Sequence, residues 1–237
     1  HGALCMAVSG KCYLSLHTTN SSANRGACIQ NCRKTYTVTD KEDGHQFDID
    51  NEYIMSPKDL CTIGFINKVI DSGSSVLKIE GRGRSPEYVK TTTQCYREAA
   101  DAYLKKTYNK EKVKEWMNRL KTVYNRGFWD GYYLGQKIGE WTGIHGSKAT
   151  KKKIYLGKAK KYFTKIQVAE FDLEAQELQK GDSILITGRT TGVIEAVADE
   201  IRINDSQVKE VKKGDNFSMK INCKVQPNDK LYKVLNS

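Results

Sequence analysis

The chain has 237 residues, of which 38% are hydrophobic and 28% charged, a balance typical of a soluble globular protein. No apolar run approaches the roughly 18 residues that a membrane-spanning helix needs, so the sequence predicts no membrane association of that kind. The formal net charge of +11 favours a polyanionic partner, with RNA ahead of a membrane surface. An excess of surface cations that serves only solubility would give the same net charge. Seven cysteines without a recognisable secretion signal indicate the reducing cytoplasm.

Four of the seven cysteines fall within 28 residues near the start of the chain. They are Cys5, Cys12, Cys28 and Cys32, with six, fifteen and three residues between them. Thiolates are soft ligands that suit zinc and iron–sulfur clusters. Zinc ribbons usually carry two close cysteine pairs, whereas a cluster takes its ligands from several loops, so the irregular spacing favours a [4Fe–4S] cluster over zinc. Reduced buried thiols and disulfides are the other interpretations that the spacing allows.

Small and cationic residues surround these thiols. Glycine, alanine and serine crowd the cysteines, and small side chains let backbone N–H groups approach an anionic cofactor and hydrogen-bond its sulfurs. Arg25 and Arg33 flank the second cysteine pair and are predicted to offset the negative charge of the cofactor. His1, four residues before Cys5, is a candidate base for a cysteine nucleophile if the chemistry is hydrolytic.

The next stretch predicts a hairpin and then a helix. Residues 35–50 read as two short strands around a polar turn at 40–44. Ser56 and the proline after it are typical of a helix start, and apolar residues at helical spacing follow until Gly73. Cys61 would lie on the first turn of this helix, where the positive end of the helix dipole stabilises a thiolate. It is therefore a fifth candidate ligand of the cofactor.

A strand at 76–80, a basic glycine-rich loop and a helix from Ser85 to about Leu104 follow. This alternation predicts the closing units of a (β/α) barrel, in which chemistry sits at the C-terminal ends of the strands. Glu80 and Arg82 lie at such an end and are candidate catalytic residues that orient the carboxylates of a substrate or of a co-substrate.

A third helix is predicted from Lys110 to Tyr124, with an apolar stripe that indicates core packing and not a cofactor site. The aromatic segment at 125–133 is predicted to pack beneath the barrel, although its rings would also suit stacking on bases. Cys95 and Cys223 are predicted to be inert core thiols.

Residues 148–165 contain eight lysines and no acidic residue. This pattern is typical of a solvated linker or of a strip that binds phosphates. Aromatic rings interleaved with the lysines favour nucleic acid. The predicted domain boundary falls here and separates residues 1–149 from residues 150–237. The candidate RNA-binding residues of this strip are Lys151, Lys152, Lys153, Lys158, Lys160 and Lys161.

Short strands separated by turn residues make up the rest of the chain. Their regular spacing predicts a small all-β barrel of about eighty residues. The glycine-flanked stretch at 188–192 is predicted to be a hairpin turn, because it lacks the Gly-Lys-Ser/Thr ending of a phosphate-binding loop and no helix follows. The predicted fold class is thus α/β followed by all-β.

Two motifs carry a resemblance to a known family. The chain begins His-Gly-Ala-Leu-Cys-Met-Ala and continues with Asn-Arg-Gly-Ala-Cys at 24–28, and this pattern resembles the signature of the U32 peptidase family. Residues 53–61, 77–82 and 125–128 extend the match. The resemblance implies the C-terminal portion of a barrel-like U32 catalytic domain, followed by a small β-barrel similar to the second domain of translation factors. It also implies that an upstream part of the same protein completes the first barrel.

The resemblance implies two alternative activities, peptide hydrolysis and RNA hydroxylation. The recognised hydrolase motifs are absent from the sequence. The sequence has no His-Glu-x-x-His helix and no Gly-x-Ser-x-Gly turn, so a collagenase-like peptidase acting on a peptide substrate is the alternative. One U32 branch, which this chain resembles, hydroxylates the wobble uridine of tRNA without dioxygen. That likeness implies a [4Fe–4S] cluster, prephenate as oxygen donor, and tRNA or another RNA as partner, with no membrane. A zinc-stabilised RNA-binding module is the second alternative.

Overall fold

The structure, a computed structural model, describes residues 1–5, 12–21, 23–47, 56–135, 140–144 and 146–237. The predicted return strand beyond residue 47 and the part of the family match at 53–55 lie outside these described residues. The chain divides into two units. The first unit contains residues 1–84 and 91–149, and the second, called the β unit below, contains residues 85–90 and 150–237.

Four α-helices occur in the described residues. They are α1 (Tyr13–Thr19), α2 (Ile66–Asp71), α3 (Pro86–Leu104) and α4 (Lys110–Lys121). The helices predicted from Ser85 and from Lys110 are confirmed as α3 and α4. Asn109 begins α4 in the expected way, because its side chain accepts a hydrogen bond of 2.9 Å from the backbone N–H of Lys112. None of the described helices is long and apolar enough to cross a membrane.

Short strand pairs connect distant parts of the first unit. Strands β1 (Val38–Thr39) and β2 (Gln46–Phe47) form the predicted antiparallel hairpin. Strand β3 (Asp59–Leu60) pairs in parallel with β4 (Phe128–Trp129), and Gly2 adds an antiparallel bridge to the other side of β3. The start of the chain therefore lies directly beside β3.

The helix predicted to start at Ser56 is wrong over its first turns. Its first residues are extended as β3, a 3-10 turn follows at Ile63–Phe65, and α2 begins only at Ile66. Tertiary partners explain the difference: the N–H of Leu60 donates to the Gly2 carbonyl, and the N–H of Cys61 to the Trp129 carbonyl, each at 2.9 Å. These partners use the backbone groups that a helix would have needed.

The predicted strand at 76–80 is also wrong. The N–H of Glu80 donates to the His1 carbonyl at 2.8 Å, and the Lys78 carbonyl accepts from the His1 nitrogen at 2.9 Å, but no longer ladder forms within the described residues. Val76 is 86% exposed, so the apolar run does not mark a buried strand. The repeated strand–helix units of a barrel are therefore not observed in the described first unit.

The β unit confirms the all-β prediction. Its strands are β5 (Lys151–Phe163), β6 (Val168–Leu173), β7 (Glu177–Gln179), β8 (Ser183–Gly188), β9 (Gly192–Val197), β10 (Ile201–Ile203), β11 (Ser206–Val208), β12 (Glu210–Lys212), β13 (Asn216–Lys220) and β14 (Lys230–Asn236). Eight of them form one antiparallel sheet in the order β11-β10-β13-β6-β5-β14-β8-β9, while β7 pairs with β12. The two ends of the large sheet, β11 and β9, do not pair with each other, so closure into a barrel is not confirmed.

Two details of this unit differ from the sequence prediction and one agrees. The lysine-rich stretch is not a linker, because β5 pairs with β14 on one side and β6 on the other along 13 residues. Cys223 is exposed and is therefore not a core thiol. The turn between Gly188 and Gly192 joins β8 to β9, as predicted for a hairpin.

The close approach of β5 and β6 requires glycine at residue 157. A Cβ built on Gly157 would lie 1.9 Å from the Asp172 carbonyl oxygen and 3.1 Å from the Glu174 nitrogen. We expect Gly157→Ala to lower the free energy of unfolding of the β unit by at least the roughly 1–3 kcal/mol of an overpacked core, because two backbone segments must move apart. Urea denaturation followed by circular dichroism measures the change. Gly143→Ala is the control, since nothing lies within 4 Å of its added Cβ, and equal losses in both variants would contradict the expectation.

The packing of α3 against α4 makes stability depend on pH. Cys95 is fully buried, as predicted, with its sulfur 3.9 Å from the Trp116 carbonyl oxygen, and burial raises the pKa of its thiol to about 11. An unfolded cysteine has a pKa of about 8.5, so above that pH the unfolded chain binds fewer protons than the folded one. We therefore expect stability to fall as pH rises from about 8.5 to 11, by up to about 1.4 kcal/mol per pH unit from this thiol.

Denaturation curves across this pH range test the expectation. Cys95→Ala should remove this part of the slope, whereas Cys223→Ala, at an exposed thiol, should retain it. The same slope in the wild type and in Cys95→Ala would show that the buried thiol does not control this pH dependence.

Candidate functional site

The structure brings the four N-terminal thiols together. Cys12 precedes α1, Cys32 lies in the 3-10 turn Asn31–Arg33, and Cys5 and Cys28 lie on loops. Cys5 and Cys28 are exposed, and the other two are half-buried. Burial raises the pKa of Cys32, and the charges of Cys28, Cys5 and Cys12 raise it further, so these three thiols lie within electrostatic range of Cys32.

Ser15 contacts two of these thiols, although no local sequence pattern singles it out. Its side chain is fully buried, and its hydroxyl lies 3.9 Å from the sulfur of Cys28. Hydrogen bonds from the backbone N–H of Ser15, and then from its hydroxyl, lower the pKa of Cys12. Because donors stabilise the thiolate form, the hydrogen bonds of Ser15 favour a thiolate at Cys12.

Arg33 connects the loop that carries Cys5 with the 3-10 turn that carries Cys32. Its guanidinium donates to the Leu4 carbonyl at 3.0 Å, to the Pro57 carbonyl at 2.7 Å and to the Ser56 hydroxyl at 3.1 Å. Leu4 precedes Cys5, so Arg33 ties the loop of Cys5 to the turn of Cys32. Arg25, the other predicted cation, ends the 3-10 turn Ala23–Arg25 and is exposed.

Cys61 lies in the core of the first unit. It is 4% exposed, its sulfur is 3.7 Å from the Met117 sulfur, and the Tyr96 hydroxyl donates to it at 3.8 Å. Burial raises the pKa of the Cys61 thiol. The helix turn that made it a candidate is absent, since Cys61 directly follows β3.

The donor set matches a metal cofactor by its chemistry. Thiolates are soft ligands, and four of them are the number that a structural zinc site or a [4Fe–4S] cluster takes. Within the described ranges, no three His, Cys, Asp or Glu side chains converge closely enough to hold a single metal ion.

A cavity of about 720 Å³ adjoins this set in the first unit. Cys5 is one of its lining residues, and the apolar part of the wall includes Leu4, Phe65 and Leu77. Its polar lining residues include His1, Thr62, Lys68, Lys78, Glu80 and Tyr96. A molecule bound there would lie beside one of the four thiols.

Two of the three predicted catalytic residues meet in this cavity. The Nδ1 atom of His1 is 3.1 Å from the Tyr96 hydroxyl, and the Glu80 carboxylate accepts from the N–H of Arg82 at 2.9 Å. The Arg82 side chain points elsewhere, because a Cβ on Gly26 would lie 2.3 Å from its Nη2. Arg82 therefore packs against the loop that leads to Cys28 and does not line the cavity.

Tyr96 and Thr62 are functional candidates that the sequence analysis missed. The N–H of Thr62 donates to the Tyr96 hydroxyl at 2.9 Å, which orients this hydroxyl between His1 and Cys61. Burial strongly raises the pKa of Tyr96, so its hydroxyl keeps its proton. Tyr96 sits on the apolar side of α3, and no local pattern separates it from an ordinary core tyrosine.

The lysine strip is only partly available to a polyanion. Ion pairs engage Lys153 with Glu87 at 2.7 Å, Lys158 with Glu174 at 2.8 Å, and Lys160 with Glu170 at 3.6 Å. The other three candidates, Lys151, Lys152 and Lys161, are exposed, and Lys161 lies 4.8 Å from the centre of the Phe163 ring. Carboxylates of the β unit therefore offset part of the positive charge that the sequence predicted for the strip.

We expect Ser15→Ala to raise the pKa of Cys12 in the metal-free protein, because the hydroxyl that stabilises the thiolate is lost. Alkylation of Cys12 by iodoacetamide near neutral pH should slow several-fold, since the thiolate is the nucleophile. Peptide mass spectrometry of the alkylated protein measures the rate at each cysteine. Ser21→Ala, which removes a hydroxyl bonded to Thr19, is the control. Unchanged alkylation of Cys12 in Ser15→Ala would contradict this role.

Two relatives show what this chain is similar to. A protein named collagenase from Porphyromonas gingivalis (strain ATCC BAA-308 / W83) is 60% identical over 233 residues, which cover 98% of this chain and 56% of that protein. A tRNA hydroxylation protein of Bacillus subtilis (strain 168) is 35% identical over 214 residues, which cover 84% of this chain and 49% of that protein. The chain thus spans about half the length of these relatives.

A solved structure and a family model complete the comparison. The C-terminal domain of a U32 peptidase from Geobacillus thermoleovorans has 15% identity and a TM-score of 0.32, and the match covers 33% of this chain and 90% of that domain. The family model described as Peptidase family U32 matches residues 1–143, which is more than half of the chain. The chain therefore belongs to peptidase family U32.

Proposed function

We propose that this chain is part of an iron–sulfur enzyme that hydroxylates RNA without dioxygen, with the wobble uridine of tRNA as its target. The observation that carries the proposal is the grouping of four thiols beside a cavity that Cys5 lines. The relative named as a tRNA hydroxylation protein supports RNA as the substrate class. The localisation that fits such a function is the cytoplasm.

Cys5, Cys12, Cys28 and Cys32 would hold the [4Fe–4S] cluster. A bound cluster supplies electron transfer, so that oxygen can come from an organic donor instead of dioxygen. Ser15 stabilises the Cys12 thiolate and contacts the Cys28 sulfur, and Arg33 ties the loop of Cys5 to the turn of Cys32. The protein therefore holds its ligands through backbone and side-chain hydrogen bonds and not through regular secondary structure.

The cavity is assigned to the small oxygen donor. Its apolar wall suits a hydrocarbon ring, and the ammonium groups of Lys68 and Lys78 suit the carboxylates of an organic acid such as prephenate. Glu80 lies within 3.9 Å of Lys78 and orients it. His1, hydrogen-bonded by Tyr96, is the residue best placed to exchange a proton with a molecule in the cavity.

RNA would contact the β unit through the exposed part of the lysine strip. Lys151, Lys152 and Lys161 supply charge, and Phe163 supplies a ring that is 38% exposed. Phosphate contacts of this kind position a nucleic acid without reading its sequence. Recognition of the target base is therefore assigned to the first unit.

Peptide hydrolysis is the second candidate, and one observation favours it. His1 and Cys5 line the same cavity, as a base and a nucleophile of a cysteine peptidase would, and the relative with 60% identity is named collagenase. Measuring the metal content distinguishes the two functions. A cysteine peptidase needs a free Cys5 thiolate as its nucleophile, whereas a cluster binds that thiolate as a ligand.

We expect about four irons and four acid-labile sulfides per chain in full-length protein purified without oxygen. Cys12→Ser and Cys32→Ser should lose the iron, because each removes a ligand. Cys223→Ser, at an exposed thiol in the β unit, should retain it and is the matched control. Elemental analysis and absorption spectroscopy measure the content, and mass spectrometry of tRNA nucleosides should show loss of the hydroxylated uridine in the same two variants.

Other outcomes identify the alternatives. One zinc per chain without iron would overturn the hydroxylase and favour a zinc-stabilised RNA-binding module. Peptide hydrolysis that needs Cys5 and His1 but no metal would establish the peptidase instead.

A further inference from the structure

Two neighbouring tyrosines in the turn after β4 are exposed. Tyr132 is 58% exposed and Tyr133 is 65% exposed. The packing predicted for the aromatic segment at 125–133 holds for Trp129, which is 4% exposed, but not for these two residues. Large rings usually stabilise a fold by burial, so two adjacent exposed rings are candidates for contact with another molecule.

The turn that carries the tyrosines requires glycine at residue 131. Gly131 has a positive φ of 66°, and a Cβ built there would lie 2.7 Å from Cδ1 of Leu60 and 3.5 Å from Cδ2 of Tyr133. Any other residue would be strained in this conformation and would displace the Leu60 side chain. The chain therefore turns tightly against β3 just before the two tyrosines.

A buried ring supports each tyrosine. The ring centre of Tyr133 lies 6.1 Å from that of Phe65, which is 7% exposed, and the two ring planes are 48° apart. Tyr132 packs edge-on against Trp129, with 5.3 Å between the ring centres. Distances of this size are typical of favourable aromatic pairs. A ring that is held in place before binding loses less entropy when a planar ligand stacks on it.

The two tyrosines differ in their relation to the cavity that Cys5 lines. Tyr133 is one of the lining residues, as are Phe65 and the 48% exposed Leu134, whereas Tyr132 is not. A lining residue that is itself mostly exposed lies where the cavity opens to solvent. The ring of Tyr133 therefore lies at the opening of a cavity that also contains one of the four thiols.

A nucleobase is the planar ligand that this position suits. The proposed reaction modifies a base, and an enzyme reaches such a base only after it has left the stack of its own RNA. Proteins hold unstacked bases of single-stranded loops against aromatic side chains. Lys68 and Lys78 line the same cavity and are exposed, so cations are available there to a polyanion.

We propose that Tyr133 stacks on the target base of the RNA at the opening of this cavity. The inference rests on the proposed hydroxylation of RNA and deepens it, because it names the residue that receives the base. Tyr133 acts through the face of its ring and takes no part in proton transfer. Its hydroxyl is therefore dispensable, whereas its ring is not.

The first test is photo-crosslinking of full-length protein to an anticodon stem–loop RNA that carries 5-iodouridine at the wobble position. Irradiation joins the iodinated base to an aromatic side chain in contact with it, and mass spectrometry identifies the linked residue. We expect the link at Tyr133. The same RNA with 5-iodouridine in the paired stem is the control and should form no link there.

The second test compares the affinities of variants for the same RNA without iodine, at one fixed salt concentration. We expect Tyr133→Ala to weaken binding roughly 5- to 150-fold, which is the loss typical of one base–aromatic stack. Tyr133→Leu should show most of this loss because it has no ring, and Tyr133→Phe should bind like the wild type. Tyr132→Ala is the matched control, since it removes an adjacent ring of similar exposure that does not line the cavity.

The outcomes separate this inference from the function on which it rests. A wild type that hydroxylates tRNA but links the base to another residue, or a Tyr133→Ala protein with full affinity, overturns this inference alone. Equal losses in Tyr132→Ala and Tyr133→Ala also overturn it. A missing link together with a lower unfolding midpoint of full-length Tyr133→Ala overturns it as well, because another segment of the protein would then cover the ring. A wild type that neither binds the RNA nor hydroxylates tRNA overturns the proposed function, and this inference with it.

Discussion

The first unit depends on one short extended segment, residues 56–60, to which its separate loops are attached. Gly2 pairs with one side of β3 and β4 with the other, while Arg33 donates to Ser56 and Pro57. The loops that carry the cysteines have little helix or strand of their own, so their relative positions depend on these hydrogen bonds. The buried carboxylate of Asp59 then gathers Arg84 and Arg126 around the same segment.

This construction places thiols, cations and a cavity in the first unit. The thiols are on loops and short turns. Arg33 ties the loop of Cys5 to residues 56 and 57, Ser15 contacts the Cys28 sulfur, and the cavity lies beside Cys5. The buried guanidinium groups of Arg84 and Arg126 are offset by the carboxylate of Asp59, because an unpaired buried charge is costly.

Particular residues show where sequence patterns predict structure and where they do not. The apolar repeat of α4 predicted its helix and its buried face, because a stripe with a 3.6-residue period has few other ways to be buried. Ser56 and Pro57 have the local pattern of a helix start, yet long-range backbone partners hold them extended. The lysines of β5 form a basic run without acidic residues in the sequence, but Glu170 and Asp172 on β6 pair with Lys160, and Glu174 just after β6 pairs with Lys158.

Short-range patterns of residues predict the family signature, the four cysteines near the start of the chain, the two longer helices and the all-β character of the second half. These features depend on short-range spacing, which a chain carries whatever its tertiary structure. Long-range contacts appear only in the folded chain: Tyr96 meets His1, Cys61 is buried beside Tyr96 and Met117, and Arg84 and Arg126 share Asp59. The reason is physical: burial and charge pairing depend on distances between side chains far apart in sequence, and no local pattern specifies those distances.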